Sequence, residues 1–88
     1  MHIRLPGTLL HYVGHSDALT YDARTVRDAL STLVEEYPAL GLVLLDSSGQ
    51  VQRFHSLFLN GEQLRHDELD RPAAADDRLE VLTAIAGG

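Results

Sequence analysis

One stretch of this chain holds a helical period over three turns, and its apolar stripe must be covered by something else. Val26, Ala29, Leu30, Leu33, Val34 and Tyr37 fall at i, i+3, i+4, i+7, i+8 and i+11, while Arg27, Asp28, Ser31, Thr32, Glu35 and Glu36 fill the other side. Thr25 precedes the stripe as an N-cap, and Asp28 follows three residues later, a capping-box variant that satisfies amides left unpaired at a helix start. Pro38 biases Tyr37 away from helical angles and Gly41 supplies a flexible exit, so the spacing predicts a helix over 26–36. The segments on either side are short and strand-like, so the stripe must pack on a sheet.

The strand readings follow from alternation and turn signals. His2-Ile3-Arg4-Leu5 alternates polar and apolar until Pro6-Gly7 breaks it. Residues 8–17 read as an irregular connection, because Gly14 and polar side chains interrupt Leu9, Leu10, Tyr12 and Val13. Ala18-Leu19-Thr20-Tyr21 is the expected second strand, forming a hairpin with the first. After the helix, Leu42 to Leu45 reads as a short buried strand, Asp46-Ser47-Ser48-Gly49 as a turn, and Val51 to Leu59 as the next strand. Asn60-Gly61 suits the positive backbone angles of a tight hairpin, and Glu62-Gln63-Leu64 returns from it. His66 to Asp77 is polar, with Pro72 and an alanine triplet, and reads as a loop with a helical turn around Asp67 to Leu69. Arg78 to Thr83 is the last strand, Leu79 and Val81 facing one way, Glu80 and Leu82 the other. The class is α+β. With Leu57, Leu59, Leu79 and Val81 turned to the helix, Phe58 and Leu82 emerge together on the opposite face.

Composition narrows the function classes. Eighty-eight residues make one domain with a modest core. Thirteen acids against seven arginines and no lysine give a formal charge of -6, which disfavours nucleic-acid binding. Without cysteine there is no disulfide, thiolate metal site or cysteine nucleophile. The longest apolar run, Gly41 to Leu45, is far short of the roughly 20 residues that a membrane span needs, and the N-terminus lacks a charged segment followed by an apolar one, so the expected location is cytoplasmic. His11 and His15 have ligand-like spacing, but Gly14 and a loop setting remove the shared face, so no metal site is expected. His2, His55 and His66 are scattered, and Ser16, Ser47, Ser48 and Ser56 lack an elbow-like glycine context, so no independent active site is expected either. Seven of the thirteen acids lie between Glu62 and Glu80 against three arginines, a bias that suits steering onto a basic rim or a plain solvated surface.

Several pieces in order carry a resemblance: the helix opening Thr25-Val26-Arg27-Asp28-Ala29-Leu30, the Tyr37-Pro38 helix end, Leu57-Phe58-Leu59-Asn60-Gly61-Glu62, Asp76-Asp77 before the last strand, and Ala84-Ile85-Ala86-Gly87-Gly88. Over nearly its whole length the chain resembles the ubiquitin-like sulfur carriers of the ThiS/MoaD type. The resemblance implies a β-grasp domain at 1–83, with a mixed sheet of four to five strands packed on one main helix, and a flexible diglycine tail at 84–88. It also implies a protein cosubstrate in place of an enzyme. The Gly88 carboxylate would be adenylated by a ubiquitin-activating-like enzyme that uses ATP, the carrier binding no cofactor itself. A sulfur donor such as a cysteine desulfurase or rhodanese would then leave a thiocarboxylate for a downstream sulfur-accepting enzyme, in the making of cysteine, thiamin, molybdopterin, thionucleosides or secondary metabolites. Gly87, Ala86, Ile85 and Ala84 would be the tail that partners recognise, and Phe58 and Leu82 would lie in the partner-binding patch.

The residues give this chemistry a physical reason. A carboxylate is a poor electrophile until adenylated, and terminal glycines without Cβ atoms can thread a narrow channel and leave the carbonyl open. Five residues from Ala84 to Gly88 reach at most about 17 Å when extended, enough to enter a partner's site. Two rivals remain: a ubiquitin-like modifier joined through Gly88 to target lysines, and a β-grasp interaction module with an inert tail. Thr83-Ala84 stands where molybdopterin-synthase small subunits commonly carry Pro-Pro, which weakens the molybdopterin assignment; Asp76-Asp77, where these carriers often carry Gly-Asp, is a minor departure.

Overall fold

The computed structural model describes residues 1–83. Helix α1 spans Val26–Glu36, the range its periodicity predicts. Its donors at the N-terminus are all accounted for. Thr25, in extended backbone, accepts the Asp28 amide on its side chain at 3.0 Å. The Val26 and Arg27 amides donate to the carbonyls of Arg71 (3.2 Å) and Leu69 (2.8 Å) in the long loop that precedes the last strand. The Asp28 carboxylate reaches back to the Arg24 amide at 3.1 Å, one residue before the cap. Val26, Ala29, Leu30 and Leu33 are buried, and Val34 and Tyr37 flank them half-buried.

Five strands form one sheet in the order β2-β1-β5-β3-β4: β1 is His2–Arg4, β2 Leu19–Thr20, β3 His55–Leu59, β4 Glu62–Leu64 and β5 Arg78–Thr83. The central pair, β1 with β5, is parallel, and the other pairings are antiparallel. Ile3, Leu57, Leu59, Leu79 and Val81 turn inward and pack with the helical stripe in one core. At the hairpin Asn60 and Gly61 take φ of 53° and 84°, as the dipeptide predicts.

Three expectations are corrected. Leu42 to Leu45 is not a strand: a second helix, α2, spans Pro38–Leu44. Proline fits the first helical position because its missing amide is unpaired there anyway, and Leu40 and Leu44, four apart, are the buried pair, while Leu42 is 82% exposed. Gly41 is therefore no exit but a point of close approach inside α2, where a Cβ would lie 3.4 Å from Val34 Cβ of α1. Second, the irregular connection contains a 3-10 helix, Gly7–Val13, which buries Leu9 and Val13 and ends at Gly14 with φ of 63°. Third, the strand expected from Val51 begins at His55, because residues 52–55 turn, the His55 amide donating to the Gln52 carbonyl; Val51 itself makes a single bridge to Leu45. The segment 66–77 is a loop of successive turns, held to the core by buried Leu69, and contains no helix.

Candidate functional site

The sheet face turned away from α1 is built by alternation. β1 contributes His2 and Arg4, β2 Thr20, β5 Arg78, Glu80 and Leu82, and β3 Ser56 and Phe58. The register sets Phe58 opposite Glu80 and Ser56 opposite Leu82, so Phe58 and Leu82 are diagonal neighbours on adjacent strands. The sequence reading placed both there. Leu82 is 43% exposed and Phe58 half-buried. With His2, Arg4, Leu10 and Asp17 they line a shallow open concavity. His2 Nδ1 lies 3.0 Å from the Thr20 hydroxyl, which ties the edge strand to this face.

The acids near the end of the chain are largely engaged with arginines. Arg27 Nε lies 2.8 Å from Asp70, Arg65 Nε 3.0 Å from Asp67, and Arg71 3.5 Å from Glu62. Asp77 accepts from Asn60 Nδ2 at 3.0 Å and from the Ala74 amide at 2.8 Å, bonds that hold its carboxyl below the usual range. Four of the seven acids, Glu62, Asp67, Glu68 and Asp70, are thus compensated locally.

The helical spacing of His11 and His15 does not produce a ligand pair: His11 lies in the 3-10 helix and His15 beyond its left-handed Gly14 end. Among the described residues no group of three or more His, Asp or Glu side chains could hold a metal ion. Burial first, and the Glu36 charge second, push the Tyr21 phenol up to about 12.

Sequence reading missed His55. It is the one polar side chain in the buried set of the described residues, at 1% exposure. Its Nε2 lies 2.9 Å from the Val43 carbonyl of α2 and its Nδ1 3.1 Å from the Thr83 hydroxyl at the end of β5. Its shared alternation with Leu57 and Leu59 was a signal that it points inward. The carbonyl partner was hidden because α2 read as a strand.

Ala84, Ile85, Ala86, Gly87 and Gly88, the expected tail and reaction site, lie outside the described residues, as does the proposed division between domain and tail beyond Thr83. What the structure defines is their root, at the end of a strand in the middle of the sheet.

A mixed five-stranded sheet grasping one main helix, with its first and last strands paired at the centre, is the ubiquitin-like β-grasp. The sequence matches the ThiS family over residues 3–88. The chain belongs to that family and is a ubiquitin-like protein of the sulfur-carrier or modifier kind. Small carriers of this family are not themselves catalysts. The structure is similar to SAMP1 from Haloferax volcanii, at 29% identity over 98% of this chain and 96% of that one, with a TM-score of 0.82. It also resembles the Amycolatopsis orientalis BexX/CysO complex, at 22% identity over 98% and 97% with a TM-score of 0.84, and Mycobacterium tuberculosis CysO, at 24% over 94% and 97% with a TM-score of 0.81. No curated protein matches it in sequence. No helix among the described residues is long and apolar enough to cross a membrane.

Proposed function

We propose that this protein carries sulfur on the carboxylate of Gly88. The observation that carries the reading is that the family match runs through Gly88 and so includes the diglycine. A partner activating enzyme directs a Gly88 carboxylate oxygen onto the α-phosphorus of ATP, and pyrophosphate leaves. Sulfide then adds to the acyl-adenylate carbonyl and AMP departs, leaving a thiocarboxylate. With a persulfide donor the first product is an acyl disulfide, which a thiol cleaves. The thiocarboxylate is a sulfur nucleophile on a protein handle, able to attack an activated substrate without releasing free sulfide. Phe58 and Leu82 supply the apolar part of the surface on which the activating enzyme rests.

Intact-mass measurement after incubation with ATP, an activating enzyme and a sulfur source tests this. An oxygen-to-sulfur mass change confined to the C-terminal peptide is expected, and Gly88→Ala or deletion of Gly88 should abolish or greatly reduce it. The similarity to an archaeal protein named as a small modifier supports a second reading, conjugation of Gly88 to target lysines. An isopeptide-linked Gly88 without thiocarboxylate would select that reading. Because this chain has no lysine, it offers no side-chain amine on which to build polymers of itself. Unchanged partner binding and cellular function after loss of Gly88 would leave a plain interaction module.

A further inference from the structure

We propose that His55 is a positioning residue that anchors the root of the tail to helix α2. The proposal rests on the reading of residues 84–88 as a tail that enters a partner, and it concerns how that tail is aimed.

The Asn60 amide donates to the Arg78 carbonyl, and this fixes the phase of the β3–β5 ladder. Counting in steps of one along each strand makes Phe58/Glu80 and Ser56/Leu82 the hydrogen-bonded pairs and Leu57/Val81 and His55/Thr83 the non-hydrogen-bonded ones. Non-hydrogen-bonded pairs bring their side chains closer together. His55 and Thr83 also share the inward face with Leu57 and Val81. The last inward rung of this ladder is thus polar where those before it are apolar, and it is the rung immediately before residue 84.

The hydrogen bonds of the ring fix its roles. A backbone carbonyl can only accept, so the ring nitrogen facing Val43 O at 2.9 Å carries a hydrogen. In the neutral ring Nδ1 is then an acceptor, and the Thr83 hydroxyl donates to it at 3.1 Å. Threonine is branched at Cβ, so committing its hydroxyl selects one χ1 rotamer. The far side of the link is secured too: Gln52 Nε2 donates to the carbonyls of Val43 (3.3 Å) and Leu45 (3.2 Å), and the His55 amide donates to Gln52 O at 3.0 Å. The Phe54 ring, with its centroid 4.4 Å from that of His55, covers the imidazole. Through this chain the last described residue of β5 is held to a helix that the sheet ladder does not reach. A leucine would fill the same space without specifying Thr83. The His–Thr rung therefore reduces the ordering that a partner must impose when the tail enters its channel.

Chemistry at Gly88 takes place after threading, so a loosened root should weaken engagement and leave the reaction itself alone. Thr83→Val, which removes the hydroxyl and keeps the shape, should raise KM for the carrier in adenylation about 2- to 10-fold with kcat unchanged. Thr83→Ser, which keeps the hydroxyl, should restore wild-type KM. His55→Gln should raise KM similarly, and adding Thr83→Val to it should change nothing more. Leu64→Ala on edge strand β4 destabilises the fold away from the root. It controls for stability, and KM should not follow it at temperatures where every variant is folded. Independently of any enzyme, ring 15N correlations at about pH 8, above the ordinary histidine range, should show hydrogen on Nε2 and a bare Nδ1. Three-bond couplings should show one χ1 rotamer for Thr83, averaged in His55→Gln. Hydrogen on Nδ1, or an averaged Thr83 rotamer in the wild type, overturns the anchor whatever the tail does. A Thr83→Val KM equal to wild type, or a fall in kcat at unchanged KM, overturns its role in aiming the tail. Failure of the wild type itself to form acyl-adenylate overturns the carrier reading, and the spectroscopic measurements then still decide the anchor.

Discussion

The smallest features of this protein are those whose physics is most direct. The Thr25 side chain satisfies the Asp28 amide at the head of α1, so Thr25→Ala should cost about 1 kcal/mol, read as a lower urea midpoint at unchanged slope. Three aspartates, Asp46 and Asp70 exposed and Asp77 half-buried, should govern stability in acid. Asp46 is lowered first by the Ser48 hydroxyl and then by the Gln50 amide, Asp70 by Arg27, and Asp77 by Asn60 and then the Ala74 amide. A carboxyl whose pKa is lower in the folded state binds fewer protons there than in the unfolded chain. Its stabilisation is complete above the unfolded value, about 3.9, and is lost as pH falls through the folded one. The aspartate contribution to the urea midpoint should therefore be constant down to about pH 5 and fall below about pH 4. Asp46→Asn, which removes the charge but keeps the shape, should flatten part of that fall. A midpoint that rises with acidification would contradict the assignment.

At the level of elements, the two helices show what a linear reading can and cannot reach. α1 was legible because its signals are local: a cap, an eleven-residue apolar period and a proline after the last turn all sit within one window. Asn60-Gly61 was legible for the same reason, since two adjacent residues alone determine its turn. α2 was not, because Leu42 to Leu45 is a short apolar run whose helix and strand readings differ only in which leucines are inside. That choice is made by the common core, in which Leu40 and Leu44 are buried while Leu42 faces outward. Misreading α2 also concealed the polar contact of His55, since its acceptor is a backbone carbonyl with no sequence signature. The apolar pair Phe58 and Leu82 was visible from alternation alone; the compensation of the acids was not, because Arg27 and Asp70 are forty-three residues apart. The interface of the two helices makes its own prediction. Gly41→Ala should be neutral or stabilise by up to about 1 kcal/mol, because helix propensity gains while the new methyl only touches Val34. Gly41→Val should destabilise, because its branches press on Val34, so its thermal midpoint should fall below wild type while that of Gly41→Ala does not.

For the molecule as a whole, what matters is how the open face and the tail root are arranged on one strand. Leu82 and Thr83 are consecutive on β5, one turned to the open face and the other to the interior. A partner resting on Leu82 and Phe58 thus sits beside the place where residue 84 begins. Leu82→Ser should leave thermal unfolding of the carrier within a few degrees of wild type and Phe58→Ser, at a half-buried position, should lower it further, yet at temperatures where both are folded each should raise KM in loading by an activating enzyme about tenfold. Mass-resolved loading at varied carrier concentration separates the two effects, and equal loading by all three proteins would remove this face from the partner surface.

The strand that ends at Thr83 is flanked on both sides, by β1 running alongside it and β3 running against it. A tug on residue 84 along the strand axis therefore loads both ladders in shear, with many bonds sharing the force, instead of peeling them one at a time from an edge. If residues 84–88 are drawn into a partner as proposed, the globule outside will hold like a knot at the end of a rope.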